Sequence, residues 1–385
     1  MNMKRVLFIA TTNLLLNDGG AFGQRAYLAS VKKLSDNKID VIMPEESCKD
    51  CYRDCIGVPR RPFMKSLLSG SIHRYKGFVS NYLRQNKGVY DFCFIDGGIY
   101  AGDMMDMIHS YGIKIVVTHL NYESEYQMDN KTMWTLYGRT SYFVQRNERS
   151  AYLKSDVNCF MSKDDLILFE SNYGKIDTPS VIIGCYEHTM TQDEMNLGCD
   201  CQGQDLPIMA ITGSMNTIQT INGILDFKNN YYDLFKKEFP KWKIIIAGRE
   251  PSDVIYDFQN ENPDTIEVIP NPINMMDIIK RASIFYCPTN SGGGIKLRLM
   301  DGLKMGKPVL VHSVSARGYD TLFNEPFFKQ YNNRKSFETS IKELHNYLST
   351  HHTPDAIRQK YLDYFSFKAG TERYRRVFEL FNKDK

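Results

Sequence analysis

Short apolar runs alternate with longer amphipathic stretches along most of the chain. In the first half, the runs at 4–11, 39–43, 91–96, 113–118, 157–161 and 181–183 predict buried strands. The stretch 22–34 has apolar residues at helical spacing, and Ser162 is a predicted N-cap for a helix that begins just after it. This alternation of strands and helices is typical of α/β domains built on parallel sheets.

The second half repeats the alternation. Strands are predicted at 208–211, 242–247, 266–269, 284–286 and 309–311, and helices at 222–239, 275–282, 295–305 and 337–348. The polar stretch 185–207 between the halves has little apolar pattern and is predicted to be the interdomain linker. We therefore expect a first domain over 1–190, a second over 205–360, and an aromatic-rich terminal helix over 361–385.

Composition adds few constraints. Hydrophobic residues make up 42% and charged residues 24% of the 385 positions, which is ordinary for a globular protein with two full cores. The net charge of +3 is too small to indicate a nucleic-acid partner. Because the apolar runs are too short for a membrane span and the first lacks a signal-peptide cleavage site, we expect a cytoplasmic protein.

Nine cysteines are scattered along the chain, and in a cytoplasmic protein we expect free thiols. Cys48, Cys51 and Cys55 form a cluster whose spacing matches no standard zinc pattern and which lacks an evident fourth ligand. The sequence therefore predicts that this cluster does not bind a metal ion.

One basic segment allows two interpretations. Between Arg60 and Lys87 there are seven Lys or Arg residues, no Asp or Glu, and interleaved apolar residues. Such a segment could lie on an anionic membrane surface, or it could form a core helix with a solvated basic face. Both interpretations remain open at this stage.

The most informative stretch is 286–317. A strand is followed by a loop with three consecutive glycines and then by the helix predicted at 295–305. Backbone N–H groups at a helix N-terminus suit an anion, and glycine lets the backbone approach it. Lys296 and Arg298 add positive charge, and Asp301 could accept hydrogen bonds from ribose hydroxyls. The strand, the glycine loop and the charged start of the helix together predict a site for a nucleotide diphosphate.

The whole segment resembles the donor-site signature of GT-B retaining glycosyltransferases, especially the family-four group. Arg298 stands where the family has a second lysine, and Asp301 stands where it has the glutamate that holds the ribose. A further family glutamate falls on Gly293 and is missing here. The matching positions are Gly292, Gly293, Gly294, Ile295, Lys296, Gly306, Lys307, Pro308 and Val309.

The resemblance implies two Rossmann-like doubly wound domains facing a cleft, with the C-terminal helix crossing back to the N-terminal domain. It implies that Lys296 is catalytic and that the donor also contacts Gly213 and Arg249. Many family members carry Arg and Lys after the first strand of the second domain, whereas the loop 213–220 has neither. No cofactor or metal is expected, because no paired aspartates stand in a suitable context to hold one.

Residues of the first domain also match the resemblance. Gly19, Gly20 and Arg25 resemble the family's first loop, and the run from His119 through Asn121 to Glu123 resembles its H-N-x-E element. The resemblance implies a catalytic role for His119 and an acceptor or cleft position for the others. The alternatives are a glycine turn at 19–20 and a histidine that only caps or packs.

These observations predict a glycosyltransferase that moves a sugar from a nucleotide-diphosphate-sugar donor to a saccharide or lipid-linked acceptor. The resemblance implies retention of configuration and a role in cell-surface polysaccharide or lipopolysaccharide synthesis. A nucleotide-sugar-binding protein without activity and a GT-B-fold epimerase are the alternatives. A nicotinamide dehydrogenase loses support because the spaced-glycine dinucleotide fingerprint is absent.

Overall fold

The computed structural model describes residues 5–16, 19–48, 54–60, 74–124, 141–188, 207–350 and 353–381. The chain divides into two compact units. The first comprises Met1–Met190 together with Phe367–Lys385, and the second comprises Thr191–Ser366. Each unit contains one sheet in which every pair of neighbouring strands is parallel.

The first unit has a seven-stranded sheet in the order β3-β2-β1-β4-β5-β6-β7. Its strands are β1 (Val6–Ala10), β2 (Ile39–Pro44), β3 (Ile56–Val58), β4 (Phe92–Asp96), β5 (Lys114–His119), β6 (Val157–Phe160) and β7 (Ser180–Ile182). Its helices before the linker are α1 (Gly19–Leu34), α2 (Tyr75–Gln85), α3 (Gly98–Ala101), α4 (Met105–His109), α5 (Ser141–Lys154) and α6 (Lys163–Tyr173). The two central strands, β1 and β4, are buried along their whole length because the sheet is covered on both faces.

The second unit has a six-stranded sheet in the order β10-β9-β8-β11-β12-β13. Its strands are β8 (Ile208–Ser214), β9 (Lys243–Arg249), β10 (Ile266–Pro270), β11 (Ile284–Cys287), β12 (Val309–His312) and β13 (Phe328–Tyr331). Its helices are α7 (Ile218–Asn230), α8 (Tyr232–Glu238), α9 (Asp253–Glu261), α10 (Met275–Arg281), α11 (Arg298–Lys304), α12 (Arg334–Thr350) and α13 (Pro354–Phe365). In both units the strand order reverses beside the first strand, as in doubly wound sheets.

Local signals located most elements correctly, and the misses have physical causes. The predicted N-cap is confirmed, since the Ser162 hydroxyl accepts from the Asp165 N–H at 3.1 Å. The helix predicted at 222–239 is two helices, because Tyr231 leaves helical geometry and packs its ring 4.8 Å from that of Phe337. The short edge strands β3 and β13 were not predicted.

The aromatic C-terminal segment is two helices rather than one. Ser366 is extended, with φ −68° and ψ 157°, and it separates α13 from α14 (Phe367–Leu380). Phe365 packs in the second unit, 5.2 Å from the Tyr319 ring. Phe378 packs in the first unit, 5.3 Å from the Phe94 ring. The aromatic residues of this segment therefore serve two separate cores.

The first residues of the expected linker belong to the first unit. Cys185 and Tyr186 are buried, and the Tyr186 hydroxyl donates to Ser30 Oγ at 2.9 Å. A Cβ at Gly370 would lie 2.0 Å from the Tyr186 ring, so glycine is needed for α14 to pack there. Residues 189–206 of the expected linker lie outside the described residues.

The expectation of free thiols is wrong for one pair. Cys48 and Cys55 form a disulfide that joins the segments on either side of residues 49–53. Cys51, Cys199 and Cys201 lie outside the described residues. The four other described cysteines form no disulfide, and all are buried: Cys93, Cys159, Cys185 and Cys287.

The described part of the basic segment has the character of a core helix. Tyr75, Val79 and Leu83 of α2 are buried in the first unit. Arg60 and Arg74 both form ion pairs with Glu46, so these two positive charges have a partner within the protein. Residues 61–73 of the segment lie outside the described part. Within the described ranges, no helix is long and apolar enough to cross a bilayer.

A buried carboxyl group lies at the end of β4. Asp96 is 0% exposed, and neither of its carboxyl oxygens has a hydrogen-bond partner among the described residues. Burial raises the pKa of Asp96 from 3.8 to about 8, because the charged form is poorly solvated there. The folded state therefore favours the protonated acid.

We expect Asp96→Asn to remove a pH dependence of stability. The pKa of Asp96 in the folded protein lies above its unfolded value near 4. The contribution of Asp96 to the free energy of unfolding is therefore fully present below about pH 4, and it is lost as the pH rises towards about 8. The thermal midpoint of Asp96→Asn relative to wild type should therefore rise between pH 5 and pH 8. Asp91 is exposed and directly precedes β4, so Asp91→Asn serves as the control. A constant difference between Asp96→Asn and wild type across this range contradicts the assignment.

Candidate functional site

Two loops of the second unit start at the point where its strand order reverses. β8 and β11 are neighbouring parallel strands, and the loops that follow them leave from the same edge of the sheet. In doubly wound sheets this position is where ligands bind. The loop after β8 leads to α7, and the loop after β11 contains the three glycines.

The glycine loop has a backbone that other residues adopt poorly. Gly292 and Gly294 have φ angles of +88° and +73°. A Cβ at Gly292 would also lie 2.3 Å from Gln219 Nε2. The predicted helix starts at Arg298 rather than at 295, and Leu299 N–H donates to the Lys296 carbonyl at 3.1 Å as the chain turns into it. The backbone groups of 295–297 therefore belong to the loop.

Lys296 is half-buried at the end of this loop. Its Nζ donates to the Gly293 carbonyl at 3.0 Å, so the side chain folds back over the glycines. Its own carbonyl accepts from the Tyr319 hydroxyl at 3.0 Å. The ammonium group is thus held beside the glycine backbone, where the sequence predicted a phosphate contact.

Arg298 connects the two loops. Its Nη1 donates to the Thr212 carbonyl of β8 at 2.7 Å, and its Nη2 donates to Thr289 Oγ1 at 2.9 Å. Gly213 has φ +151°, and a Cβ there would lie 2.2 Å from Arg298 Nη1. Gly213 therefore makes room for the guanidinium group, a structural reason for glycine that the sequence alone did not reveal.

Asp301 and Arg249 complete the predicted donor residues. Asp301 is half-buried in α11, about one turn after Arg298. Arg249 is exposed at the end of β9, and its Nη2 donates to Ser214 Oγ at 3.1 Å. The loop after β8 lacks Arg and Lys, so Arg249 brings a positive charge to its beginning.

Several supporting residues were not predicted. Thr289 is buried, and its carbonyl accepts from Ser315 Oγ at 2.6 Å. Asn290 donates to Asp226 Oδ2 of α7 at 3.0 Å. A Cβ at Gly223 would lie 2.8 Å from the Pro288 carbonyl, so α7 packs directly on the loop. These contacts join positions distant in sequence, and the local pattern contains no signal for them.

In the first unit, Gly19 and Gly20 begin α1, while Asn17 and Asp18 lie outside the described residues. Arg25 Nη1 donates to the carbonyls of Leu14 and Leu16 at 2.7 and 2.8 Å, so this guanidinium group holds the loop after β1 against the helix. The acceptor role of these three residues stays a prediction.

Gln24 was not predicted to have a role, yet it organises the same loop. Its side-chain oxygen accepts from the N–H groups of Thr11 and Thr12, and its side-chain nitrogen donates to both of their hydroxyls, at distances of 3.0–3.1 Å. The buried amide thus satisfies backbone donors that would otherwise lack partners.

His119 lies in the core of the first unit. It is 1% exposed, its ring stacks on Phe160 at 5.0 Å, and its Nε2 hydrogen-bonds with Asn158 Oδ1 at 2.8 Å. Since the Asn158 oxygen only accepts, Nε2 carries the proton. Burial lowers the pKa of His119 from 6.5 to about 4, so the ring is neutral at physiological pH. This environment is that of a structural histidine, and the catalytic role stays a prediction.

Asn121 and Glu123 lie in the segment after β5. The Glu123 N–H donates to Glu148 Oε1 at 2.9 Å, and Tyr173 Oη donates to Glu148 Oε2 at 2.8 Å. Burial raises the pKa of Glu123 to about 7 and that of Glu148 to about 8. Glu148, buried on α5, was not predicted. Both carboxyl groups are therefore more easily protonated than exposed glutamates, because burial disfavours their charged forms.

The described side chains include no group of three or more His, Cys, Asp or Glu residues arranged to hold a metal ion. The positive groups placed at the β8–β11 edge are Lys296, Arg298 and Arg249. Preorganised cations and backbone N–H groups of this kind can stabilise a diphosphate as negative charge develops on it.

Sequence comparisons give no family. No protein-family model matches the chain. No curated protein matches it either.

Structural comparison gives clear similarities. The lipopolysaccharide outer core galactosyltransferase WaaB has a TM-score of 0.69 and 9% identity, over 98% of this chain and 99% of that one. A glycosyltransferase from Rickettsia africae has a TM-score of 0.67 and 13% identity, over 100% of both chains. HepE of Anabaena, solved in complex with UDP, has a TM-score of 0.66 and 8% identity, over 97% of this chain and 99% of that one. The protein thus has the GT-B fold of these glycosyltransferases along almost its whole length.

Proposed function

We propose that the protein is a glycosyltransferase that uses a nucleotide-diphosphate-sugar donor. The observation that carries the proposal is the glycine loop after β11, with Lys296 folded over it, at the point of strand-order reversal in a GT-B fold. HepE, a structural neighbour, has been solved with UDP and with UDP-glucose. These two complexes of HepE support a donor of the same chemical class for this protein.

The proposal extends to the acceptor and to the class of product. The acceptor is a saccharide or a lipid-linked acceptor, and the product belongs to a cell-surface polysaccharide or lipopolysaccharide. The lipopolysaccharide galactosyltransferase among the structural neighbours supports this class. Retention of configuration rests on the family-four resemblance of the motif. The cytoplasmic location and the peripheral membrane contact stay predictions.

The test begins with binding. UDP, GDP and ADP are titrated by calorimetry, and the nucleotide sugars of the nucleotide that binds are then incubated with candidate acceptors. A bound nucleotide also raises the thermal midpoint by mass action. Binding followed by sugar transfer supports the proposal, whereas binding without turnover on any acceptor favours an inactive nucleotide-sugar-binding protein. The missing carboxylate at Gly293 is the observation that keeps this second candidate under test.

An epimerase on the same fold is favoured by a different observation. The Glu123 and Glu148 carboxyl groups have pKa values raised by burial to about 7 and about 8, and an epimerase needs an acid and a base near neutral pH. Incubation of the nucleotide sugar without an acceptor, followed by analysis of the sugar, separates the two activities.

We expect Lys296→Ala to lower kcat by about 10²–10³-fold and to weaken donor binding less, because charge on the leaving diphosphate grows in the transition state. Lys296→Arg should restore part of the rate, since it keeps the charge but not the compact ammonium group. Steady-state kinetics at saturating acceptor measure both variants. Lys243→Ala, an exposed change at the start of β9, is the control, and a loss under about threefold in Lys296→Ala contradicts the role.

We expect Asp301→Asn to weaken nucleotide binding by roughly 1–3 kcal/mol, because a charge-assisted hydrogen bond to ribose is lost. Asp301→Glu should bind about as well as wild type. The decisive comparison uses 2′-deoxy and 3′-deoxy nucleotides in calorimetry. Wild type should discriminate against one of them, and Asp301→Asn should not. Equal discrimination by the two proteins rules out the ribose contact.

A further inference from the structure

A corner of the chain beyond β12 touches the glycine loop at two points. After a short 3₁₀ turn at Ser313–Ala316, the chain reaches Gly318 and Tyr319. Gly318 has φ +84°, and a Cβ there would lie 2.5 Å from Ile295 Cδ1. Tyr319 Oη donates to the Lys296 carbonyl at 3.0 Å. The corner thus contacts two consecutive residues of the loop.

The carbonyl that Tyr319 binds has a second partner. The Leu299 N–H donates to the same Lys296 oxygen at 3.1 Å, in the turn that leads into α11. The Lys296 Nζ is bound to the Gly293 carbonyl at 3.0 Å. Because side-chain direction follows backbone orientation, whatever fixes this carbonyl also fixes the point from which the ammonium group is presented.

Tyr319 is itself rigidly held. It is 0% exposed, and its ring packs against Phe328 at 6.0 Å and against Phe365 at 5.2 Å. Because a packed core allows little displacement, the packing around the ring holds the Tyr319 hydroxyl in one position. Most of the loop around Lys296 is only half-buried, so this hydrogen bond links a partly exposed loop to the core.

We propose that Tyr319 is a positioning residue of the nucleotide-diphosphate site, and this inference rests on the proposed function. Its hydroxyl fixes the Lys296 backbone, so that the ammonium group is held in place before the diphosphate arrives. A site whose charged group is preorganised loses less conformational freedom on binding and stabilises developing charge without reorganisation. Tyr319 acts through Lys296 and makes no contact with the donor.

The test compares Tyr319→Phe with a matched control. Tyr319→Phe keeps the ring and removes only the hydroxyl. Tyr152→Phe does the same in the first unit, where the buried Tyr152 hydroxyl donates to the Gly174 carbonyl at 3.1 Å. We expect Tyr319→Phe to bind the best of UDP, GDP and ADP about fivefold more weakly, the equivalent of one net hydrogen bond. Tyr152→Phe should bind it as wild type does.

Two further readouts separate positioning from a general loss of stability. Hydrogen exchange at the Leu299 amide should become faster in Tyr319→Phe and stay unchanged in Tyr152→Phe. In a Lys296→Ala background, Tyr319→Phe should have no further effect on affinity, because the group it positions is gone. The same fivefold loss in both backgrounds overturns the proposal, and so does wild-type affinity in Tyr319→Phe.

Nucleotide binding by the wild-type protein tests the proposed function independently of Tyr319. A wild-type protein that binds none of the three nucleoside diphosphates overturns the proposed function together with this role. Normal wild-type binding with unchanged affinity in Tyr319→Phe overturns the role of Tyr319 alone.

Discussion

The candidate site in the second unit depends on the hydrogen bonds of the Arg298 guanidinium group. The loops after β8 and β11 follow neighbouring parallel strands, and this side chain spans the space between their starting points. It donates to the Thr212 carbonyl at 2.7 Å and to Thr289 Oγ1 at 2.9 Å. The lack of a side chain at Gly213 follows from this, since a Cβ there would overlap the guanidinium group.

The glycine loop is then fixed from two further directions. From α7, Asp226 accepts from Asn290, and Gly223 lets the helix backbone lie against the loop. From the corner after β12, Tyr319 donates to the Lys296 carbonyl. The backbone and charges that could meet a diphosphate are therefore set by contacts within one unit. Preorganised groups of this kind can stabilise negative charge that develops on a bound diphosphate.

The first unit shows a different use of buried polar groups. Gln24 and Arg25 satisfy backbone groups of the loop after β1, and Glu148 holds the backbone of the segment after β5. His119 has become part of the aromatic core, because Phe160 and Phe169 enclose its ring at 5.0 and 4.5 Å. Position at the end of a parallel strand therefore did not by itself decide whether this side chain faces a ligand.

The sequence by itself determined most of the strands, their alternation with helices, the N-cap at Ser162 and the glycine loop. These depend on neighbours within a few residues, and local hydrophobic spacing and hydrogen bonding encode them directly. The tertiary structure alone decided the start of α11 at Arg298, the break at Ser366 and the burial of His119. Arg298 finds its partner Thr212 at a separation of 86 residues, and Tyr319 reaches Lys296 only because β11 and β12 pair. Such contacts depend on which strands lie side by side, and no local pattern specifies that.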